Sequence, residues 1–294
     1  MAASLAPYSC LMRIALINSG LGLLAAAAAL HRIRPDVDLV LATDPDGMPW
    51  GPRTPADIVG RAMLCARATL VYQPDVLVMA CNTGSVHALD AMRAEFEPHI
   101  PVIGTVPAIK PAAAAHRNVA IWATVATTAS AYQRRLIAEF GGSAVVTPVA
   151  CPGLADAVDA GDEAATAAAV ADAAGRTPAG CEAVVLGCTE YELAAGQIAA
   201  AVPGAVTFGS AGAVAAQALR RIPDSPAAVD GARPGDGAPP GNGARPATVR
   251  VLLSGRLSPL PAAALRYGEG RLLAPLVDAG ELARKPAPDT AVTH

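Results

Sequence analysis

Lysine is almost missing from this chain: its 294 residues hold only Lys110 and Lys285. A pyridoxal enzyme needs a lysine for its Schiff base. Lys110, wedged before Pro111, reads as a loop residue near a domain hinge and Lys285 falls in the tail, so pyridoxal chemistry is disfavoured. Net charge is -3 and no basic stripe occurs, which removes the electrostatic footprint that drives nucleic-acid binding. No C-x-x-C pair exists among the six cysteines, which argues against structural zinc. Without close pairing they read as reduced thiols of a cytoplasmic protein rather than a disulfide framework. The charge-free stretch Ile14 to Leu30 falls short of the roughly 18 or more apolar residues of a spanning helix, and Asn18-Ser19-Gly20 breaks it. It reads as strand, turn and helix, with a secretory signal as the minority reading because no Lys or Arg precedes Arg13. No membrane association is therefore expected.

What is present is a globular composition, 53% hydrophobic and 16% charged, with room for about two domains on a prior of about 150 residues each. Apolar strand candidates recur at Arg13 to Ile17, Asp38 to Leu41, Val76 to Ala80, Val102 to Ile103, Val119 to Trp122, Ala144 to Val149, Ala183 to Leu186 and Val206 to Phe208. Helical patterns lie between them, among them Ser85 to Phe96, Ala129 to Phe140 ending at Gly141-Gly142, and Asp162 to Ala174. This alternation predicts an α/β fold of two similar domains, each a mostly parallel sheet flanked by helices. The expected partition is residues 12–108 with 209–222 and 247–282 in the first domain, and 109–208 in the second. Residues 223–246 are rich in Pro, Gly, Ala and Asp, with no apolar period to offset the entropy of ordering, and read as a disordered insertion. Thr248 to Leu253 is a further strand candidate, and 283–294 reads as a flexible tail.

One pattern occurs twice. Val76-Leu77-Val78-Met79-Ala80-Cys81-Asn82-Thr83 and Ala183-Val184-Val185-Leu186-Gly187-Cys188-Thr189-Glu190 each give an apolar run, a small residue, a cysteine and polar residues. Such a run is a strand buried on both faces, and the cysteine with its polar neighbours marks the carboxyl end, where open α/β sheets build their sites. Two thiols at two equivalent edges can flank one small molecule across an interdomain cleft, as two-base proton transfer requires. Cys81 precedes a helix, whose dipole can lower a thiol pKa into the neutral range, and Cys188 stands in an equivalent position. Thr83, Asn82 and Thr189 supply hydroxyl and amide groups, and helix starts supply N–H donors for a carboxylate. Taken singly, each cysteine reads as a small buried hydrophobe; the repetition reverses that reading.

These segments resemble the glutamate racemase family, within the aspartate/glutamate racemase superfamily. Its A-C-N-T-A-[SN] corresponds to Ala80-Cys81-Asn82-Thr83-Gly84-Ser85 and its L-G-C-T-H-Y-P to Leu186-Gly187-Cys188-Thr189-Glu190-Tyr191-Glu192. The family's F-D-S-G-x-G-G-L appears as Ile17-Asn18-Ser19-Gly20-Leu21-Gly22-Leu23-Leu24, and its P-Y-G as Pro49-Trp50-Gly51. Pro101 to Pro111, the A-T-x-x-T segment Ala123 to Thr127, and Ala150-Cys151-Pro152-Gly153-Leu154 also match, in order along residues 13 to about 222. The resemblance implies a cofactor-independent racemase of an acidic amino acid, with no metal. By analogy Cys81 acts on the D-enantiomer and Cys188 on the L-enantiomer, each taking or giving the α-proton. Family substrate-binding positions fall on Ser19, Pro49, Trp50, Gly51, Asn82, Thr83, Thr124, Thr127 and Thr189. Supply of D-glutamate to the cell wall is the role the family suggests; a homodimer is left open.

Two positions depart from the pattern. Asn18 replaces the family's aspartate and Glu190 replaces the histidine after C-T, so the acidic group has moved from one thiol to the other. An amide cannot take a proton, and Asn18 reads either as part of the catalytic set or as a turn cap. A carboxylate beside Cys188 discourages its thiolate unless the substrate ammonium pairs with it, which makes Glu190 the expected ammonium partner; the plain alternative is a solvated first-turn acid. The departures leave room for another substrate such as aspartate, or for a non-catalytic dicarboxylate-binding relative. Trp50 replaces a tyrosine, losing a hydroxyl but keeping an N–H donor. His31, His87, His99 and His116 read as surface residues, and Cys10, Cys65, Cys151 and Cys181 as structural.

Overall fold

The structure, a computed structural model, describes residues 12–222 and 247–284. The expected insertion 223–246, Cys10, Lys285 and residues 285–294 of the tail lie outside the described residues. Among the described residues ten strands form two sheets. The first contains β1 (Arg13–Ile17), β2 (Asp38–Thr43), β3 (Val76–Met79), β4 (Val102–Gly104), β9 (Val249–Leu253) and β10 (Arg256–Ser258) in the order β10-β9-β2-β1-β3-β4. The second contains β5 (Asn118–Ala123), β6 (Val145–Ala150), β7 (Ala183–Leu186) and β8 (Val206–Phe208) in the order β6-β5-β7-β8. Every pairing is parallel except β9 with β10.

The β-branched and leucine runs read as central strands because they are central. Along β1, Ile14 and Leu16 enter one core while Ala15 and Ile17 enter the other, so both faces of the first sheet are covered by helices. The second sheet repeats this, with Ala120 and Trp122 on one side and Val119 and Ile121 on the other. The sequence did not reveal β10. Ser254 and Gly255 take left-handed conformations, φ 46° and 79°, and fold a tight hairpin onto the sheet edge. The expected helix Ala129 to Phe140 begins at Ala131, because Ser130 leaves the helical path to cap it, and Ala129 instead ends a separate short helix, Val125–Ala129. Lys110 lies exposed on the helix Ile109–Ala115 rather than in a loop. Ala283 and Arg284, assigned to the tail, end the helix Ala279–Arg284.

The strand orders fix where a site can form. In the first sheet the chain order reverses between β1 and β3, and in the second between β5 and β7. Such reversal points open a crevice at the carboxyl ends of the two strands. Asn18-Ser19 follow β1, Cys81 follows β3, Thr124 follows β5 and Cys188 follows β7. Two crossings join the sheets. Thr105, after β4, shares a 3.1 Å hydroxyl hydrogen bond with Ser210, after β8. Glu192 then accepts from the Ser210 N–H and hydroxyl at 2.8 and 2.9 Å and from the Ala211 N–H at 3.1 Å. A carboxylate beside the second sheet thereby caps the helix Ala211–Arg220, which packs into the core of the first.

Candidate active site

Cys81 lies two residues beyond the end of β3 and is the N-cap of the helix Asn82–Phe96, its Sγ accepting the Gly84 N–H at 3.5 Å. Ser19 Oγ stands 4.0 Å from the same sulfur. These donors favour a thiolate, yet the thiol is pushed up to about 11, first by burial and then by the Glu190 carboxylate. The expectation of a lowered pKa from the helix dipole is thus reversed: at 6% exposure the lost hydration outweighs the dipole.

Cys188 keeps part of its surface open while packing against the second core. It precedes a 3-10 segment, Thr189–Ala194, rather than an α-helix, and no side-chain cap forms there. Its Sγ donates to Glu190 Oε2 at 2.8 Å. Burial, then the charge of Glu190, then that hydrogen bond raise its pKa well above the thiol range, and Cys81 adds to the effect. The two thiols therefore lie within electrostatic reach of one another, and both are protonated at neutral pH.

Short cross-links hold the two edges in register. Asn82 Nδ2 donates to the Gly187 carbonyl at 2.8 Å, joining the residue after one cysteine to the residue before the other. Asn18 Nδ2 donates to the Ala80 carbonyl at 2.7 Å and to Thr189 Oγ1 at 3.1 Å. Its Oδ1 accepts the Gly20 N–H at 3.4 Å, so Asn18 caps its own turn and bridges the cleft as well. Glu190 is 4% exposed and also accepts from Thr189 at 3.3 Å, which is not the surroundings of a solvated first-turn acid. Gly20 and Gly22 are points of close approach: a Cβ on Gly20 would meet Asp159 Oδ1 at 2.3 Å, and one on Gly22 would meet Thr189 Oγ1 at 2.4 Å and Glu190 Oε1 at 2.7 Å.

Among the remaining expected residues, Gly51, Thr83 and Thr127 line a cavity of about 300 Å³ together with Asn82. Thr124 caps the helix Val125–Ala129 and donates to Thr127 Oγ1 at 3.0 Å. Pro49 is exposed, whereas Trp50 is 1% exposed and its indole N–H donates to Asp44 at 2.9 Å, so that donor is already occupied. Cys65, Cys151 and Cys181 are free thiols; burial pushes the first two up to about 12. Among the described residues no cluster of three or more His, Cys, Asp or Glu side chains could hold a metal ion.

Sequence reasoning missed Asp159. It lies on the helix Leu154–Ala160, and its Oδ1 accepts the Leu21 N–H at 2.6 Å across the cleft. Burial, then the Glu190 charge, push its carboxyl up to about 8. Spacing alone does not separate it from Asp156, an exposed acid on the same helix. Only the approach of the first sheet's Gly20-Leu21 turn does so.

Two mostly parallel sheets with reversal points at β1/β3 and β5/β7 set Cys81 and Cys188 beyond matching strand ends, and the family match and the relatives place the chain in the racemase class of isomerases. The Asp/Glu/Hydantoin racemase pattern matches residues 21–219, and the chain belongs to that family. It is 34% identical over 213 residues to a glutamate racemase of Herpetosiphon aurantiacus, covering 70% of this chain and 83% of that protein. A glutamate racemase of Pseudomonas putida is also 34% identical, over 214 residues, with 71% of this chain and 80% of that one covered. The Escherichia coli glutamate racemase crystallised with L-glutamate and an activator shares the fold, with a TM-score of 0.71 at 24% identity over 87% of this chain and 92% of that one. Among the described residues no helix is long and apolar enough to cross a membrane.

Proposed function

We propose that this protein interconverts L- and D-glutamate without a cofactor, using Cys81 and Cys188 as the two acid–base groups. The observation that carries the reading is the placement of both thiols at matching strand ends, coupled across one cleft and tied together through Asn82 and Gly187. Substrate enters with its ammonium toward Glu190 and toward Asn82 Oδ1, a buried acceptor without a partner among the described residues. Thr83, Thr127, Thr189 and Ser19 face the carboxylates, with Gly51 at the cavity wall and Pro49-Trp50 shaping the loop that carries it.

From the L-enantiomer, the ammonium pairs with Glu190, Cys188 releases its thiol proton to solvent, and the thiolate takes the Cα proton. Cys81 gives its own proton to the opposite face and is left as a thiolate, held by the Gly84 N–H and Ser19. Proton exchange with solvent resets the pair; the D-enantiomer runs the same steps in reverse. The ammonium charge offsets Glu190 and lowers the cost of ionising either thiol, so proton transfer is coupled to binding. Asn18 holds Thr189 and the Ala80 carbonyl in place and carries no proton.

The same reading divides the chain at 108/109 and 208/209, since each sheet of the cleft falls within one of the two units. It takes a small amino acid as the partner, in the cytoplasm, with neither nucleic acid nor membrane involved. The test is isotope exchange in deuterium oxide. Enantiopure glutamate should gain Cα deuterium and racemise with the wild-type protein. Cys81→Ala and Cys188→Ala should each lower racemisation by roughly 10²–10⁴-fold, with Cys81→Ala still exchanging the L-enantiomer through Cys188. No exchange with glutamate would defeat the assignment, and preferential turnover of aspartate would transfer it to that smaller acid.

A further inference from the structure

The cavity of about 300 Å³ does not stop at the residues carried over from the family. Asn82, Thr83 and Thr127 form its inner wall, and neither thiol lines it. Its outer wall is His87 on the helix Asn82–Phe96, facing Tyr132 and Arg135 on the helix Ala131–Phe140. No carboxylate lines the chamber. Arg135 is exposed and has no hydrogen bond or ion pair among the described residues, whereas Arg53, Arg61, Arg67 and Arg93 are each paired with an acid. Burial pushes the Tyr132 phenol up to about 12, against the pull of Arg135, so a neutral O–H donor stands beside an uncompensated cation.

The charge distribution gives this chamber a purpose. Deeper in, the buried Glu190 carboxylate opposes the entry of any anion carrying two carboxylates, while Asp159, its carboxyl pushed up to about 8, adds no charge at neutral pH. A guanidinium at the mouth attracts such an anion and presents a planar fork suited to a carboxylate. We propose that the chamber is an outer carboxylate site, in which Arg135, flanked by Tyr132 and His87, captures an acidic amino acid before it moves inward to Asn82, Thr83 and the thiols. This rests on the reading that the substrate is acidic. It makes Arg135 a binding residue for substrate capture and leaves proton transfer to the cysteines.

Glutarate, a dicarboxylate with no exchangeable stereocentre, tests the site apart from the chemistry. Calorimetric titration at low and moderate salt should show Arg135→Ala weakening glutarate binding about 10-fold, the scale of one charge-assisted hydrogen bond. The salt dependence should flatten in Arg135→Ala, because the lost charge is what salt screens, and Arg135→Lys should recover part of both. In glutamate turnover the loss should fall in KM. Wild-type affinity and salt slope in Arg135→Ala, or no glutarate binding to the wild-type protein, would overturn the outer site. Absence of isotope exchange in the wild type would instead sink the racemase reading while the titration still decides this one.

Discussion

Replacing Asp159 by asparagine should make the protein more stable at pH 8. The Oδ1 that accepts the Leu21 N–H at 2.6 Å is kept as an amide oxygen, so the contact across the cleft survives. What is lost is a titration. In the unfolded chain the carboxyl ionises near 3.8, whereas in the fold burial and then the Glu190 charge hold the proton until about 8. Between those values the native state binds the extra proton, so stability falls as pH rises, by at most about 1.4 kcal/mol per pH unit. The span of about 4 units sets a ceiling of roughly 5–6 kcal/mol, and because Asp159 is partly open to the cleft we expect about 2–3 kcal/mol after screening. Urea midpoints measured from pH 4.5 to 8.5 should fall for the wild type and stay nearly level for Asp159→Asn, the two curves separating as pH rises. Parallel curves would show that Asp159 ionises in the fold as it does in the open chain, and the account of a protonated acid beside Glu190 would be wrong.

Restoring the family's aspartate with Asn18→Asp should damage this protein. Asn18 is fully buried and donates to Ala80 and Thr189, and a carboxylate there loses both donors, costing about 3 kcal/mol or more; a stable variant with raised turnover would refute this. Glu192→Ala should lower stability by about 2 kcal/mol in urea unfolding by uncapping Ser210 and Ala211, and Glu192→Gln by less because an acceptor remains. Equal midpoints for Glu192→Ala and wild type would show that the crossing is held by packing alone.

Much of the fold was legible because strands buried on both faces leave continuous apolar runs. Nine of the ten strands lie on segments read from that signal; β10 escaped because three residues on a sheet edge carry no such run, and only the Ser254-Gly255 turn marks it. The cysteines were legible because their context repeats. Asp159, Glu192 and Arg135 were not, because each acts on something distant in sequence: the Leu21 amide, the Ser210 turn and a cavity shared with the helix Asn82–Phe96. The direction of the Cys81 shift failed for a related reason. A helix start is local and can be read, whereas burial and the Glu190 charge arrive from across the cleft.

The order of residues alone determined two α/β sheets, each with a cysteine just beyond the end of a buried strand, since periodicity, breakers and local repetition are properties of adjacent residues. Tertiary structure decided how those ends behave. Desolvation and the approach of Glu190, Asp159 and Asn18 from separate strands and helices set which groups hold protons, and these are effects of distance in space that no spacing along the chain encodes.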